Sequence, residues 1–212
     1  MPPRPYDNQT RLQQQALLKE RIAAATAELH AEKGAVATSY AEIAGRAGVS
    51  LPTVYKHFPT QAQLIAACTG HVAGRAPRLP SDEILQAPSL AAAAEALIAA
   101  MDAIHAHFEP WKAWREHRVI PSLGDLADRQ RQQLTGFIAQ LLARQLGAGE
   151  HRELAAVWES LLDFDLWHRL AREHKLPRAA VRRSLVHLLL AAAGPRRAAP
   201  SSPRPTRKAF HE

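Results

Sequence analysis

Between Ser50 and His57 the chain gathers five side chains able to hydrogen-bond an anion. These are the hydroxyls of Ser50 and Thr53, the phenol of Tyr55, the ammonium of Lys56 and the imidazole of His57. Donors of this kind suit phosphate oxygens, and a lysine can equally reach the edge of a guanine. Tyr55 and His57 are the candidates for phosphate, with Tyr55 otherwise packing on the helix that follows. Thr53 suits a phosphate or a base edge, and Lys56 suits either. Leu51 and Pro52 stand at the tip of the same segment, where Leu51 either touches a thymine methyl or covers the helix start. Upstream, Ser39 and Tyr40 open another helix, and Ser39 reads as a plain cap or as part of an anion site at a helix N-terminus. Gln61 follows downstream and can donate a hydrogen bond without adding charge. Arg4 and Arg11 are candidates for a minor-groove contact from the N-terminal arm.

A second group lies further along: His105, Phe108, Trp111, Trp114, Trp158 and Trp167. Aromatic side chains with an occasional polar group are what a small-molecule cavity between helices requires. Each tryptophan reads more readily as ordinary core than as a ligand contact, and His105 as a core histidine with its hydrogen bonds satisfied. His105 and His107 are two residues apart, hence on different faces of a helix, and do not form a metal pair. Asp163, Asp165 and His168 interrupt an apolar helix and are placed to pair with one another or across a dimer. No metal-ligand spacing, nucleophile–base set or phosphate-binding glycine loop is present, so neither an enzyme nor a cofactor is expected.

The elements that must position these groups follow from period and punctuation. Leu18, Ile22, Ala25 and Leu29 recur at helical spacing from Leu12 on, and Gly34 supplies a left-handed stop. Ser39 with Glu42 has the spacing of a capping box, Gly48 interrupts a brief second helix, and Ser50 caps a third. Pro59 ends that one, and Thr60 with Gln63 opens a fourth through Ala73. Ile43, Ala44, Val49 and Val54 fill the space between the second and third helices. Two short helices joined by Ala47-Gly48-Val49-Ser50 form a helix-turn-helix, which holds the second across the first so that its first turn enters a major groove. Beyond Arg78-Leu79-Pro80 the helices are longer. One stripe runs from Leu90 to Phe108, with Pro110 opening a short segment. Ser122 with Asp125 caps a further helix, and two more span about Glu150–Glu173 and Pro177–Ala193.

In this setting residues 22–64 resemble the tetracycline-repressor-like (TetR) family of regulators. The resemblance is carried by Ile22, Ala24, Ala25, Leu29 and Gly34, then Tyr40-Ala41-Glu42-Ile43-Ala44 and Ala47-Gly48-Val49-Ser50. It continues through Thr53-Val54-Tyr55, His57-Phe58 and Leu64, and covers about a fifth of the chain. It implies a three-helix head that binds palindromic operators, a linking fourth helix, and a helical ligand-binding and dimerisation domain, usually in a repressor released by a small molecule. Gln61 departs from the family, which usually has lysine near the start of the fourth helix. One counterion fewer should therefore be released on DNA binding.

Composition agrees with an all-α chain: 212 residues, 47% hydrophobic, 6% aromatic, alanine-rich. The domain organisation expected is an arm over residues 1–14, the head over 15–64 with its linking helix to about 76, a body over 80–194, and a disordered basic tail over 195–212. Residues 1–80 and 195–212 each carry net charge +4 and residues 81–194 carry −1, so a polyanion meets the ends and not the middle. Leu154, Val157, Leu161, Val181, Leu185 and Leu188 exceed what one core covers, which predicts a homodimer built on the last two helices. A lone cysteine, the absence of a signal-like start and the absence of a membrane-length apolar run predict a cytoplasmic protein without a membrane partner. The near-neutral, tryptophan-bearing body suits an apolar or aromatic effector. Two other readings fit these residues: an interaction protein with a degenerate head, and a helical-bundle enzyme using His105 or Asp165 with His168.

Overall fold

The structure is a computed structural model that describes residues 8–147 and 149–194. Helix α1, Asn8–Lys33, buries one stripe through Ile22, Ala25 and Leu29 and ends where Gly34 turns left-handed at φ 83°. The Gly34 N–H then closes onto the His30 carbonyl at 2.9 Å. Helix α2, Tyr40–Ala47, starts with a complete capping box of Ser39 and Glu42 and stops at Gly48, φ 62°. Helix α3, Leu51–His57, is capped by the Ser50 hydroxyl, and α4, Gln61–Ala73, by that of Thr60. Ile22, Ile43, Val54, Phe58 and Leu64 form a core of their own, against which α1, α2, α3 and α4 are held.

The body follows as α5 (Ser81–Leu85), α6 (Leu90–Lys112), a 3-10 turn (Glu116–Arg118), α7 (Pro121–Leu146) and α8 (Arg152–Leu161). It ends with α9 (Phe164–His168), a π-helical turn (Arg169–Glu173) and α10 (Arg178–Ala193). Helix α6 packs on α10, and α8 packs on both α7 and α10. Their shared core holds Leu97 and Ile98 of α6, Ile138, Leu141 and Leu142 of α7, Trp158 of α8, and Val181, Leu185 and Leu189 of α10. No strand occurs among the described residues, so the fold is all-α, as composition predicts.

Several boundaries differ from expectation. Residues 8–14, read as part of an arm, are the first turns of α1; residues 1–7 and the tail from 195 lie outside the described residues. Pro110 lies inside α6, close enough to its end that only one late helical hydrogen bond is lost. Helix α7 begins at Pro121 with no side-chain cap, so Ser122 and Asp125 do not act as one. The expected helix over Glu150–Glu173 is three pieces, because the Asp163 carboxylate accepts from the Asp165 N–H at 2.7 Å and restarts the chain as α9.

Candidate nucleic-acid interface and ligand site

The outer face of α3 presents Leu51, Pro52, Tyr55 and Lys56 to solvent, with Thr53 and His57 half-buried beside them. Val54 turns inward with no exposure and anchors this face to the head core. The rings of Tyr40 and Tyr55 stack at 4.6 Å between centroids, 10° from parallel. That stack ties the start of α2 to the middle of α3. Burial, and then the neighbouring Tyr55 phenol, push the Tyr40 phenol above its ordinary pKa, and its buried hydroxyl has no hydrogen-bond partner.

The capping residues are more occupied. The Ser39 hydroxyl donates to Glu42 at 2.8 Å and accepts from its backbone N–H at 3.3 Å, so Ser39 serves as a cap. Ser50 and Thr53 hydroxyls bond each other at 2.7 Å. Gln61 is exposed at the first position of α4. Two head cations are held by acids: Lys33 by Glu42, and Arg46 by Glu28 and Glu32. The Glu42 carboxyl is drawn down to about 2, chiefly by the Lys33 hydrogen bond and then by those from Ser39.

The six aromatic and imidazole residues of the body divide into three places. Phe108 and Trp111 lie at the joint of head and body, against Ala27, Cys68 and Val72. Trp111 donates its indole N–H to the Ala27 carbonyl at 2.7 Å, and half-exposed Trp114 donates to that of Ala31 at 3.3 Å. Trp158 is fully buried and donates its indole N–H to the Leu189 carbonyl at 3.0 Å, closing the body core. His105 and Trp167 come together, rings 5.6 Å apart, beside a cavity of about 10 Å³ between α6, α8, α9 and α10.

Sequence reasoning missed two groups. Asp102, 5% exposed on α6, accepts from the Trp167 indole at 2.8 Å and from Arg178 at 2.8 and 3.3 Å. A charge three residues before His105 on an apolar stripe was the available signal. The other group is Glu116, whose two carboxylate oxygens each accept a backbone N–H of the head, from Ala35 and Val36, both at 2.7 Å. His107 adds a third hold on the head, its Nε2 lying 3.1 Å from the Val72 carbonyl oxygen. Thus side chains from one stretch, 107–116, hold backbone atoms of α1, α4 and the loop before α2. Asp165 bonds Arg118 at 2.6 Å and lies 3.2 Å from Arg115, while His168 sits 3.8 Å from Glu109, so Asp165 and His168 do not pair with each other. Among the described residues no cluster suited to a metal ion occurs, and no helix is long and apolar enough to cross a membrane.

The dimer residues also divide. Val181 and Leu185 are inside the protomer's own core, 0% and 4% exposed, because that edge of α10 faces α6; they cannot form an outer face. Val157 and Leu188 are exposed at 46% and 45%, with Leu154 and Leu161 half-buried near them.

A capped helix, a glycine turn and a second capped helix with a solvent-facing donor row form a helix-turn-helix. Residues 22–68 match the family model of the bacterial regulatory proteins of the tetR family. No curated protein matches the chain in sequence. Among solved structures, a transcriptional regulator from Rhodococcus sp. Rha1 is similar, at 21% identity and TM-score 0.63, over 82% of this chain and 95% of that one. NalD, the secondary repressor of the MexAB-OprM multidrug efflux pump in Pseudomonas aeruginosa, aligns at 21% identity and TM-score 0.61, over 84% and 96%. SmeT in complex with triclosan aligns at 18% and 0.59, over 91% and 100%. The whole described chain therefore has the fold of these regulators.

Proposed function

We propose that the protein is a homodimeric, sequence-specific DNA-binding repressor released from a palindromic operator by a small apolar or aromatic molecule. The observation that carries this reading is the α3 face, where Leu51, Tyr55 and Lys56 stand exposed on a helix anchored by Val54. In this reading Tyr55 and His57 hold phosphates, Lys56 and Thr53 reach base edges or backbone, and Gln61 donates to a phosphate without charge. Tyr40 orients Tyr55 through their stack. Ser39 and Ser50 contribute by fixing helix starts.

The partner copy docks on the exposed edge of α8 and α10, at Val157 and Leu188 with Leu154 and Leu161. An isologous contact there sets the two recognition helices about one helical turn, ~34–36 Å, apart. Release works through α6, which carries His105 at the cavity and Trp111 at the head. A ligand that prefers an α6 position incompatible with DNA weakens operator binding, and DNA weakens ligand binding by the same factor. NalD is described as a repressor and SmeT is described with bound triclosan; both support repression and ligand control here by similarity of fold.

The test is selection of duplexes from a random pool by the purified protein, followed by titration of the enriched sequence. A palindrome bound in the nanomolar range is expected, weakened when Lys56 is changed to Ala. Recovery of no sequence above background, with an intact dimer, overturns the reading.

A further inference from the structure

His105 carries more information than its burial. Its Nε2 lies 2.8 Å from the Leu162 carbonyl oxygen, which can only accept, so Nε2 bears the proton. Desolvation, with the Lys112 charge second, pushes the pKa of the imidazole down to about 4, so the ring is neutral near pH 7. A neutral ring with its proton on Nε2 has a bare lone pair on Nδ1. That nitrogen is buried and has no hydrogen-bond partner. An acceptor left so is costly, and the cavity lies beside the ring.

The rest of the lining narrows what could meet Nδ1. Ile98, Leu162 and Leu185 are apolar, and Asp102 is already engaged by Trp167 and Arg178. A lone water would find few of the about three partners that buried waters usually have. The floor is fixed, because His105 and Trp167 are each hydrogen-bonded to protein. The rim is not: Met101 and Leu161 are half-buried and Arg182 is exposed. The cavity itself is about 10 Å³, so a ring-sized guest has to displace these long rim side chains outward.

We propose that this site takes a neutral molecule with an apolar, ring-sized body and one hydrogen-bond donor, a phenol or an N–H heteroaromatic, whose donor is received by Nδ1 of His105. The apolar body lies against Trp167 and displaces the rim. The inference rests on the ligand-release reading for its biological meaning, but the binding itself is independent of DNA.

The experiment titrates the full-length protein, without DNA, with phenol, with anisole (the same ring with its donor methylated) and with benzoate. Tryptophan fluorescence reports affinity, and the ¹⁵N resonances of labelled histidine report Nδ1. Phenol should bind about tenfold more tightly than anisole, the scale of one buried hydrogen bond. The His105 Nδ1 resonance should move with phenol and stay with anisole. His105→Phe should erase the preference, and His105→Gln, which keeps an acceptor, should retain part of it. Equal affinities, tighter benzoate, no binding by any of the three, or an unmoved Nδ1 signal overturns the proposal, and the spectroscopic arm holds even if a variant fails to fold. Phenol that binds as expected but leaves operator affinity unchanged refutes ligand release and not the donor rule.

Discussion

Replacing Glu116 with Gln tests whether the body holds the head through its backbone. The carboxylate accepts from Ala35 N–H and Val36 N–H, each at 2.7 Å. A hydrogen bond to a charged acceptor contributes about 1.5–3 kcal/mol. A carboxamide has one oxygen, so one of the two N–H groups must face the amide NH₂. Ala35 is 3% exposed and cannot turn to water, whereas Val36 is 66% exposed and can, which places the loss at the low end, about 2 kcal/mol. For a chain of this size that lowers the midpoint of thermal unfolding by about 4–8 °C. Calorimetry reads the shift, and hydrogen exchange reads the cause, since the Ala35 and Val36 amides should exchange faster while the body core does not. An unchanged midpoint with unchanged protection of those two amides refutes the argument.

Gly34→Ala attacks the same joint from the other side. Its φ of 83° disfavours a side chain, and an added Cβ would lie 2.6 Å from a Glu116 carboxylate oxygen, so a loss of about 1–2 kcal/mol or more is expected in chemical denaturation. Tyr55→Phe keeps the stack on Tyr40 and removes only the hydroxyl, so operator variants should all weaken alike, whereas Lys56→Ala should relax preference at one position per half-site by about 1–3 kcal/mol if Lys56 reads a base. A charge at Val157 or Leu188 should halve the mass seen by light scattering and leave the helical spectrum intact; the same charge at Leu185 should unfold the body, because that side chain is core. Lowering pH should destabilise the fold between about 6.5, where His105 takes a proton in the unfolded chain, and about 4, where it does so in the folded one. The unfolded state binds the extra proton across that window, so stability falls as pH falls, by about 3 kcal/mol for this group alone. The pH slope of His105→Phe, flatter by that amount, isolates it.

The head was legible because its instructions are local. Ser39 with Glu42, Gly48, Ser50 and Thr60 each act within four residues, so spacing alone places the helix ends. The body was legible as helices and much less so as contacts. In α10, Val181, Leu185 and Leu189 form one stripe and Leu188 begins the next, and periodicity cannot say which stripe α6 will cover. Trp158 and Trp167 look alike in sequence, yet one closes the core on a backbone carbonyl and the other floors a cavity on Asp102. Glu116 left no mark at all. Its partners are backbone amides 80 and 81 residues earlier, and no residue type at Ala35 or Val36 announces an acceptor.

These long-range contacts explain how one helix can serve both ends of the molecule. Met101 and His105 line the cavity, while His107 and Trp111, two and six residues beyond His105 on α6, touch carbonyls of α4 and α1. Glu116 extends the grip to the loop that leads into α2. Because α6 and Glu116 hold backbone atoms of the head, and Phe108 and Trp111 pack on Ala27, Cys68 and Val72, a shift of α6 would carry α1, α4 and the α2 entry together. A tightly packed head core then moves as a unit, since Ile22, Ile43, Val54 and Leu64 leave it little room to deform. The recognition helix would change position while keeping its shape. In the proposed dimer, ligand control would alter the distance between two intact heads and leave each head's contacts with its own half-site unchanged.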